Sequence, residues 1–200
     1  MRSFLRWLQY TLFALAVVLI GAFAIDKASS WNFQRRANAT LEAERANPSQ
    51  AIDRGDVIGR VDVDRLGVSV VVVEGVDEGD LAHAAGHLIG TAIPGQQGNA
   101  AIAAHRDTFF RPLRKIRPKD LIRVTTPEGE FHYRVVWTRI VTPDDVAVLR
   151  PDGQQELTLI TCYPFYYVGE APERFIVRAK RVAYRPESAG MQPNAGEEHP

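Results

Sequence analysis

Residues 127–141 read Pro-Glu-Gly-Glu-Phe-His-Tyr-Arg-Val-Val-Trp-Thr-Arg-Ile-Val, and this stretch decides the fold class. Its large apolar side chains recur at every second position, the spacing that places side chains on one face of a β-strand. They are Phe131, Tyr133, Val135 and Trp137. The Pro-Glu-Gly before them is typical of a hairpin connection, so an earlier strand should pair with this one. The stretch therefore predicts antiparallel β-structure.

Further short strands lie on both sides of this hairpin. Alternating or continuous apolar residues between turn residues predict strands near residues 61–63, 68–73, 99–104, 121–125, 156–161 and 174–184, which with 130–141 makes seven. A helical pattern in this region is confined to residues 77–85. Strands this frequent, with one short helix, predict an all-β closed barrel rather than a doubly wound α/β sheet.

The N-terminal segment differs in composition from the strand region. Residues 7–25 are almost wholly apolar, about the length that a helix needs to span a bilayer core. Arg2 and Arg6 precede them, so the positive-inside rule predicts a cytoplasmic N-terminus and an extracytoplasmic remainder. We therefore expect a single-pass anchor in the cytoplasmic membrane over residues 1–27. A cleaved signal peptide is the alternative, because Ala22-Phe23-Ala24 has the small-x-small form of a cleavage site.

Two further segments flank the predicted barrel of residues 56–185. Residues 28–55 are polar and helix-prone up to Asn47-Pro48, which predicts a solvated helical stalk. Residues 186–200 contain three Pro, two Gly and three Glu and offer little to bury. We expect this tail to be disordered.

The composition of the chain excludes several classes of function. The chain has 200 residues, enough for about one domain, and its 24 Lys and Arg balance its 24 Asp and Glu. A chain without a net basic charge has little to attract nucleic acid. Cys162 is the single cysteine, which excludes an internal disulfide and a site of several thiolates.

Cys162 lies where a predicted strand ends. Tyr163-Pro164 follows it, and because proline cannot continue the ladder, the cysteine should lie at a barrel rim. A nucleophilic cysteine must form a thiolate, for which it needs a base or a positive environment. The alternative is a small buried side chain without chemistry.

His105 and Arg174 are the candidate partners of this cysteine. His105 ends the strand 99–104 as Cys162 ends its own, so the two can face each other at one rim. Arg174 opens the last strand and could stabilise the oxyanion that forms when a thiolate attacks a carbonyl; an ordinary surface arginine is the alternative. The other histidines are assigned no catalytic role, with His83 placed in the predicted helix, His132 on a solvated face and His199 in the tail.

These residues resemble a known family. Thr-Leu-Ile-Thr-Cys at 158–162, with His105 upstream and Arg174 in Glu-Arg-Phe-Ile-Val downstream, resembles the sortases, the membrane-anchored cysteine transpeptidases of bacterial surfaces. The similarity runs from about residue 59 to residue 182. His-Arg-Asp-Thr-Phe-Phe-Arg at 105–111 and Cys-Tyr-Pro-Phe at 162–165 are most similar to class D sortases. Ala104 departs from the pattern, because many relatives have glycine there.

The resemblance implies a fold and a reaction. The fold is a closed eight-stranded sortase-type barrel, one strand more than the pattern predicts. The implied catalytic residues are Cys162, His105 and Arg174, acting through a thioester acyl-enzyme on a sorting signal of the Leu-Pro-x-Thr-Gly kind. Expected partners are surface proteins with that signal, an amine acceptor such as a peptidoglycan stem or a lysine of another protein, and the lipid bilayer. No cofactor, metal or nucleic acid is expected. A peptidase of the same fold that mainly hydrolyses its substrate is the alternative.

Three further residues are predicted to contact the substrate or to support the catalytic residues. Asp107 could orient His105 or Arg106. Thr161 alternates onto the face opposite Cys162, which favours a structural hydroxyl. His87 could line the substrate groove, because the glycine-rich residues 86–98 have the composition of a loop over a site.

Overall fold

The computed structural model describes residues 2–46, 52–167 and 169–183, and within them eight strands close into a barrel. The strands are β1 (Val57–Val63), β2 (Val68–Glu74), β3 (Ala85–His87), β4 (Gly98–Ala103), β5 (Leu121–Thr126), β6 (Gly129–Val141), β7 (Gln155–Tyr163) and β8 (Glu173–Val182). Their order around the barrel is β1-β2-β3-β4-β7-β8-β6-β5. β2–β3 and β4–β7 are parallel and the other described pairs are antiparallel. The all-β closed barrel predicted from the sequence is confirmed.

Two apolar clusters hold the barrel together. The main core fills its interior with alternate residues of the strands, among them Val61, Val70, Ile102 and Leu157. A smaller cluster lies on the outer face, where Val141, Val148 and Ile176 pack with Trp137, Leu149 and Ile160. Because residues of opposite parity on β7 and β8 join different clusters, both faces of these strands are covered.

β6 departs from the predicted alternation at one position. Tyr133 and Val135 belong to the main core as expected, but the register with β8 shifts between Val135 and Trp137. A bulge adds one residue to a strand and moves the following side chains to the other face. Trp137 therefore packs in the outer cluster, and its predicted place beside Tyr133 is wrong.

β3 is the strand that the sequence pattern missed. It has only three residues, Ala-Gly-His, too few for an alternation of apolar and polar side chains to be recognised. The predicted helix over residues 77–85 is correspondingly too long, because α2 covers only Glu78–Leu81. His83 follows this helix instead of lying in it. The eighth strand that the family resemblance implied is thus β3.

The N-terminal helix α1 runs unbroken from Arg2 to Ala46. It contains one segment that is long and apolar enough to cross a membrane, and none of that segment is buried against the barrel. The boundaries of an anchor over residues 1–27 and a stalk over 28–55 remain predictions. Residues 47–51 of the stalk and the predicted disordered tail, 186–200, lie outside the described residues.

The polar half of α1 packs against the barrel, so the expectation of a solvated stalk is wrong. Ala37 and Leu41 are buried. Gln34 Oε1 accepts a hydrogen bond from Val71 N at 2.9 Å, and Gln34 Nε2 donates to His83 O at 2.6 Å. The sequence did not reveal this packing surface over β1 and β2. Among the residues of α1 whose burial is described, Ala37 and Leu41 are the buried ones, too few to form a recognisable apolar pattern.

Candidate active site

Cys162 lies near the end of β7, where the side chain is half-buried and the thiol is free. Its Cα partner on the neighbouring antiparallel strand β8 is Arg174. Residues directly opposite each other in an antiparallel pair project to the same face. Ile160 and Ile176, two residues before and after them, pack in the outer cluster, so the sulfur and the guanidinium start from the outer face of the barrel.

His105 follows β4, which is the parallel neighbour of β7. Ala103 pairs with Ile160, and Ala104 N donates to Ile160 O at 3.2 Å. His105 thus follows the last paired residue of β4 by two positions, as Cys162 follows Ile160 on β7, so continued parallel spacing of about 4.8 Å would place the two residues side by side. The three residues predicted to be catalytic therefore come from the ends of three adjacent strands, β4, β7 and β8.

An apolar cavity lies beside Arg174. It has a volume of about 260 Å³, and Arg174, Ile160 and Ile176 line one side of it. The segment after β6 forms the other side with Val146 and Val148, which lie in a short 3₁₀ helix (Val146–Leu149).

A second cavity extends the groove away from Arg174. Its volume is about 770 Å³, and it shares Leu88, Val146 and Leu149 with the first cavity. The remaining lining comes from residues 89–92, 97–99 and 150–151. Together the two cavities form a continuous groove over the outer face of β4 and β7 that ends at Arg174. An extended peptide could lie in such a groove with one side chain in the apolar cavity.

The guanidinium of Arg174 keeps its positive charge unneutralised by any carboxylate of the described residues. Its Nη1 donates to Ala171 O and Glu173 O, both at 3.1 Å. Backbone carbonyls hold the planar fork in place without cancelling its charge. The other N–H groups of Arg174 have no acceptor within the described residues, so they can meet a carbonyl oxygen or an oxyanion near Cys162.

Arg106 is a residue of the site that the sequence reasoning did not single out. Its Nη2 donates to Tyr167 O at 2.9 Å and to Gly169 O at 2.8 Å, so it ties the segment after β7 to the turn that carries His105. Its position directly after His105 was the only signal, and the carbonyls that it binds are more than sixty residues away in the chain.

His87 is buried, which contradicts its predicted place in the groove. Only 1% of its surface is exposed, and Nδ1 lies 2.7 Å from Glu74 Oε2. Nε2 lies 3.0 Å from Ala92 O and 2.9 Å from Thr91 Oγ1. The imidazole therefore joins β2 to the segment that lines the groove and cannot itself touch a substrate there.

Asp107 and Thr161 differ in how they relate to the site. Asp107 is exposed in the turn after His105 and, among the described residues, makes no hydrogen bond to His105 or Arg106, so its predicted orienting contact is absent there. Thr161 is buried opposite Cys162, and its hydroxyl donates to Ala104 O at 2.7 Å. That bond joins the residue before Cys162 to the residue before His105.

The fold is a closed eight-stranded barrel, and a free cysteine, a histidine and an arginine lie at the ends of adjacent strands. This combination is typical of a cysteine enzyme built on a β-barrel. Residues 61–182 match the family model of the sortase domain. The chain belongs to the sortase family, a family of cysteine transpeptidases, as the sequence resemblance predicted.

Individual relatives agree with this assignment. The chain is 37% identical to Sortase D of Bacillus subtilis over 65% of its own length and 66% of that relative. It is 30% identical to Sortase A of Bacillus anthracis over 70% of its own length and 66% of that relative. The chain thus spans about two thirds of the length of either protein.

Solved structures show the same fold. A Sortase D5 transpeptidase of Clostridium perfringens superposes with a TM-score of 0.68 at 28% identity, over 76% of this chain and 99% of that one. Sortase A of Corynebacterium diphtheriae superposes with a TM-score of 0.64 at 26% identity, over 80% and 87%. The similarity to class D noted in the sequence is matched by the first of these and by the Bacillus subtilis relative.

Proposed function

We propose that this chain is a sortase-type cysteine transpeptidase that cleaves a short sorting signal and transfers the released acyl group to an amine. The observation that supports the proposal is the direct pairing of Cys162 with Arg174 on β7 and β8, with His105 just after β4, the strand next to β7. The groove that ends at Arg174 supports a peptide substrate, because it is long, open and lined on one side by apolar residues.

The first half-reaction makes an acyl-enzyme. The thiolate of Cys162 attacks a backbone carbonyl of the sorting signal, and Arg174 holds the negative charge that develops on the carbonyl oxygen. The C–N bond of the scissile amide then breaks, and protonated His105 gives its proton to the departing amine. The product is a thioester between Cys162 and the acyl fragment on the amino-terminal side of the scissile bond.

The second half-reaction reverses these roles. An incoming amine attacks the thioester carbonyl, and His105 takes the proton that the amine loses. The C–S bond breaks and the thiolate of Cys162 is regenerated. One imidazole serves both steps, and the net change is the exchange of one amine for another.

The expected substrate is a surface protein with a Leu-Pro-x-Thr-Gly-like signal. The apolar cavity beside Arg174 suits the aliphatic side chain of such a signal. The acceptor is an amine such as that of a peptidoglycan stem or of a lysine on another protein. The apolar segment of α1 supports an anchor in the cytoplasmic membrane with the barrel on the outer side.

The test is acyl-enzyme trapping read by intact-protein mass spectrometry. The wild type, incubated with a Leu-Pro-x-Thr-Gly peptide, is expected to gain the mass of the acyl fragment. Cys162→Ala should gain nothing, whereas Arg117→Ala, at an exposed position, should behave as the wild type. Full peptide cleavage by Cys162→Ala would overturn the proposed function.

Product mass with and without an added amine separates transfer from hydrolysis. A transpeptidase yields the amine adduct as its main product when the amine is present. Free acid as the main product under both conditions would identify a hydrolase of the same fold.

A further inference from the structure

Helix α1 reaches the barrel beside the residues proposed to be catalytic. Ser30 and Phe33 of α1 contact the His83 side chain: Ser30 Oγ lies 3.3 Å from His83 Nδ1, and the Phe33 and His83 rings are 5.9 Å apart. His83 precedes β3, and Gly86 of β3 pairs with Ala103 of β4 in the antiparallel sense. Residues that precede β3 therefore lie next to residues that follow β4, where His105 is.

The direction of α1 follows from its later contacts. Gln34 bonds to Val71 on β2, and Asn38 Oδ1 accepts from Arg60 of β1 at 3.4 Å. Along the chain the helix thus passes from the start of β3 over β2 to β1. In the reverse direction, the same line continues past β3. The N-terminal part of α1 therefore points toward β4 and β7, the next strands around the barrel.

Only a short piece of helix separates the apolar segment from this contact. Ser30 is five residues after Ile25, a rise of about 7.5 Å along the helix at 1.5 Å per residue. Basic side chains lie over aromatic rings in this part of the helix. Lys27 lies over the Phe23 ring, and Arg35 lies over the Trp31 ring at 3.7 Å. Trp31 is 58% exposed. Exposed tryptophan and basic residues at the end of an apolar helix mark the level of the lipid headgroups.

The catalytic end of the barrel carries the same kind of residues. Tyr166 and Tyr167, just after β7, are 74% and 49% exposed. Arg114 lies 5.4 Å from the Tyr166 ring, and Arg106 lies 5.8 Å from the Tyr167 ring. An amphipathic ring beside an arginine suits an interface between headgroups and water, where the ring packs and the cation meets phosphate.

We propose that this end of the barrel rests on the lipid headgroups of the bilayer that holds α1, so that the groove opens toward the membrane surface. The contact surface consists of Trp31 and Arg35 on α1 and of Arg114, Tyr166 and Tyr167 on the barrel. This proposal rests on the proposed membrane anchor and adds the orientation of the barrel relative to the bilayer.

The test measures energy transfer from a label on the barrel to acceptor lipids. The full chain is placed in nanodiscs that contain anionic lipid and a trace of headgroup-labelled acceptor, and a donor dye is attached to Cys162, the single cysteine. The matched control carries the dye at Val136→Cys in a Cys162→Ala background. Val136 is 44% exposed and lies on β6, which is four places from β3 in the order of eight strands.

The proposal predicts higher transfer from Cys162 than from Val136→Cys. Seven alanines inserted after Ile25 should lower the Cys162 transfer, because they lift the barrel by about 10 Å. Tyr166→Ser with Tyr167→Ser should lower it as well. Equal transfer from the two labels, or higher transfer from Val136→Cys, overturns the orientation.

Failure of the anchor gives a different result from failure of the chemistry. A chain that does not co-purify with the nanodiscs refutes the anchor, and the orientation with it. Acyl-enzyme formation with a soluble peptide does not depend on the bilayer and reports on the proposed catalytic residues alone. A properly oriented chain without acyl transfer would leave the orientation standing and refute the transpeptidase.

Discussion

The three residues proposed to be catalytic come from distant parts of the chain but belong to neighbouring strands. Antiparallel pairing puts Arg174 across from Cys162, and His105 follows β4, the parallel neighbour of β7. Each residue stands where a strand ends or begins, so that the backbone is held by the barrel while the side chain reaches the groove. A rigid barrel fixes these positions better than a loop would, which reduces the cost of organising the transition state.

At Arg174 we predict a large loss of catalysis without loss of folding. Arg174→Ala should lower kcat by about 10²–10³-fold, as expected when one oxyanion donor is removed. Arg174→Lys should recover only part of it, because an ammonium lacks the planar fork. Single-turnover acylation followed by mass spectrometry measures the effect. An unchanged acylation rate in Arg174→Ala would remove the arginine from the mechanism.

At Thr161 we predict a positioning effect. Thr161→Val keeps the shape but removes the bond to Ala104 O, which should cost about 1 kcal/mol of unfolding free energy. It should also lower kcat with little change in KM, because the bond ties the strands of Cys162 and His105 together. Thr161→Ser retains the hydroxyl and should restore kcat. Loss of stability alone, with kcat unaffected, would assign the hydroxyl a purely structural role.

At the level of elements, α1 completes the barrel where two strands separate. β2 and β3 pair from Val72 and Ala85 onward, so Val71 N lies just before the first pair of the ladder. The Gln34 amide bridges the gap, since it accepts from Val71 N and donates to His83 O. A side chain of the helix thus replaces a hydrogen bond of the sheet.

Replacing this glutamine should open the sheet locally. Gln34→Met keeps the length of the side chain but leaves Val71 N without its partner, at a cost of about 1–3 kcal/mol. Amide hydrogen exchange should show lost protection at Val71. Asn32→Met, at an exposed position of the same helix, is the control and should leave that exchange unchanged. Equal protection in both variants would contradict the bridging role.

At the scale of the whole molecule, the ion pair between Arg65 and Asp120 makes the free energy of unfolding depend on pH in the acid range. Arg65 Nε donates to Asp120 Oδ1 at 2.7 Å, and Arg117 N donates to Asp120 Oδ2 at 2.8 Å. The hydrogen bond from Arg65, helped by that from Arg117 N and opposed by burial, holds the pKa of Asp120 below its usual value near 3.8. The folded state therefore favours the charged carboxylate more than the unfolded state does.

The sign of the pH effect follows from this lowered pKa. Below the usual pKa the unfolded chain binds a proton that the folded chain does not, so unfolding is favoured as pH falls. We expect the Asp120 contribution to be complete above about pH 5 and to be lost as pH falls through the folded-state pKa. Urea midpoints between pH 6 and pH 3 measure it. Arg65→Met should show a smaller fall than the wild type, and an identical fall would contradict the assignment.

The sequence alone predicted the class of fold and the three residues proposed to be catalytic. Alternating apolar residues, as at Tyr133 and Val135, reveal a strand because the two faces of a sheet meet different surroundings. The end of a strand can also be read from the local sequence. Pro164, two residues after Cys162, lacks the N–H that a sheet ladder needs, whichever strand is the neighbour. The family motifs added the eighth strand, which periodicity had not revealed.

Only the tertiary structure decided what depends on contacts between distant segments. It buried His87 against Glu74, moved Trp137 to the outer cluster through a bulge, paired the three residues of β3 and laid α1 across β1 and β2. None of these leaves a local pattern, because each is set by which strands become neighbours and in what register. Local composition encodes the preference of a residue for a buried or an exposed face, whereas the partner on that face is fixed only when the barrel closes.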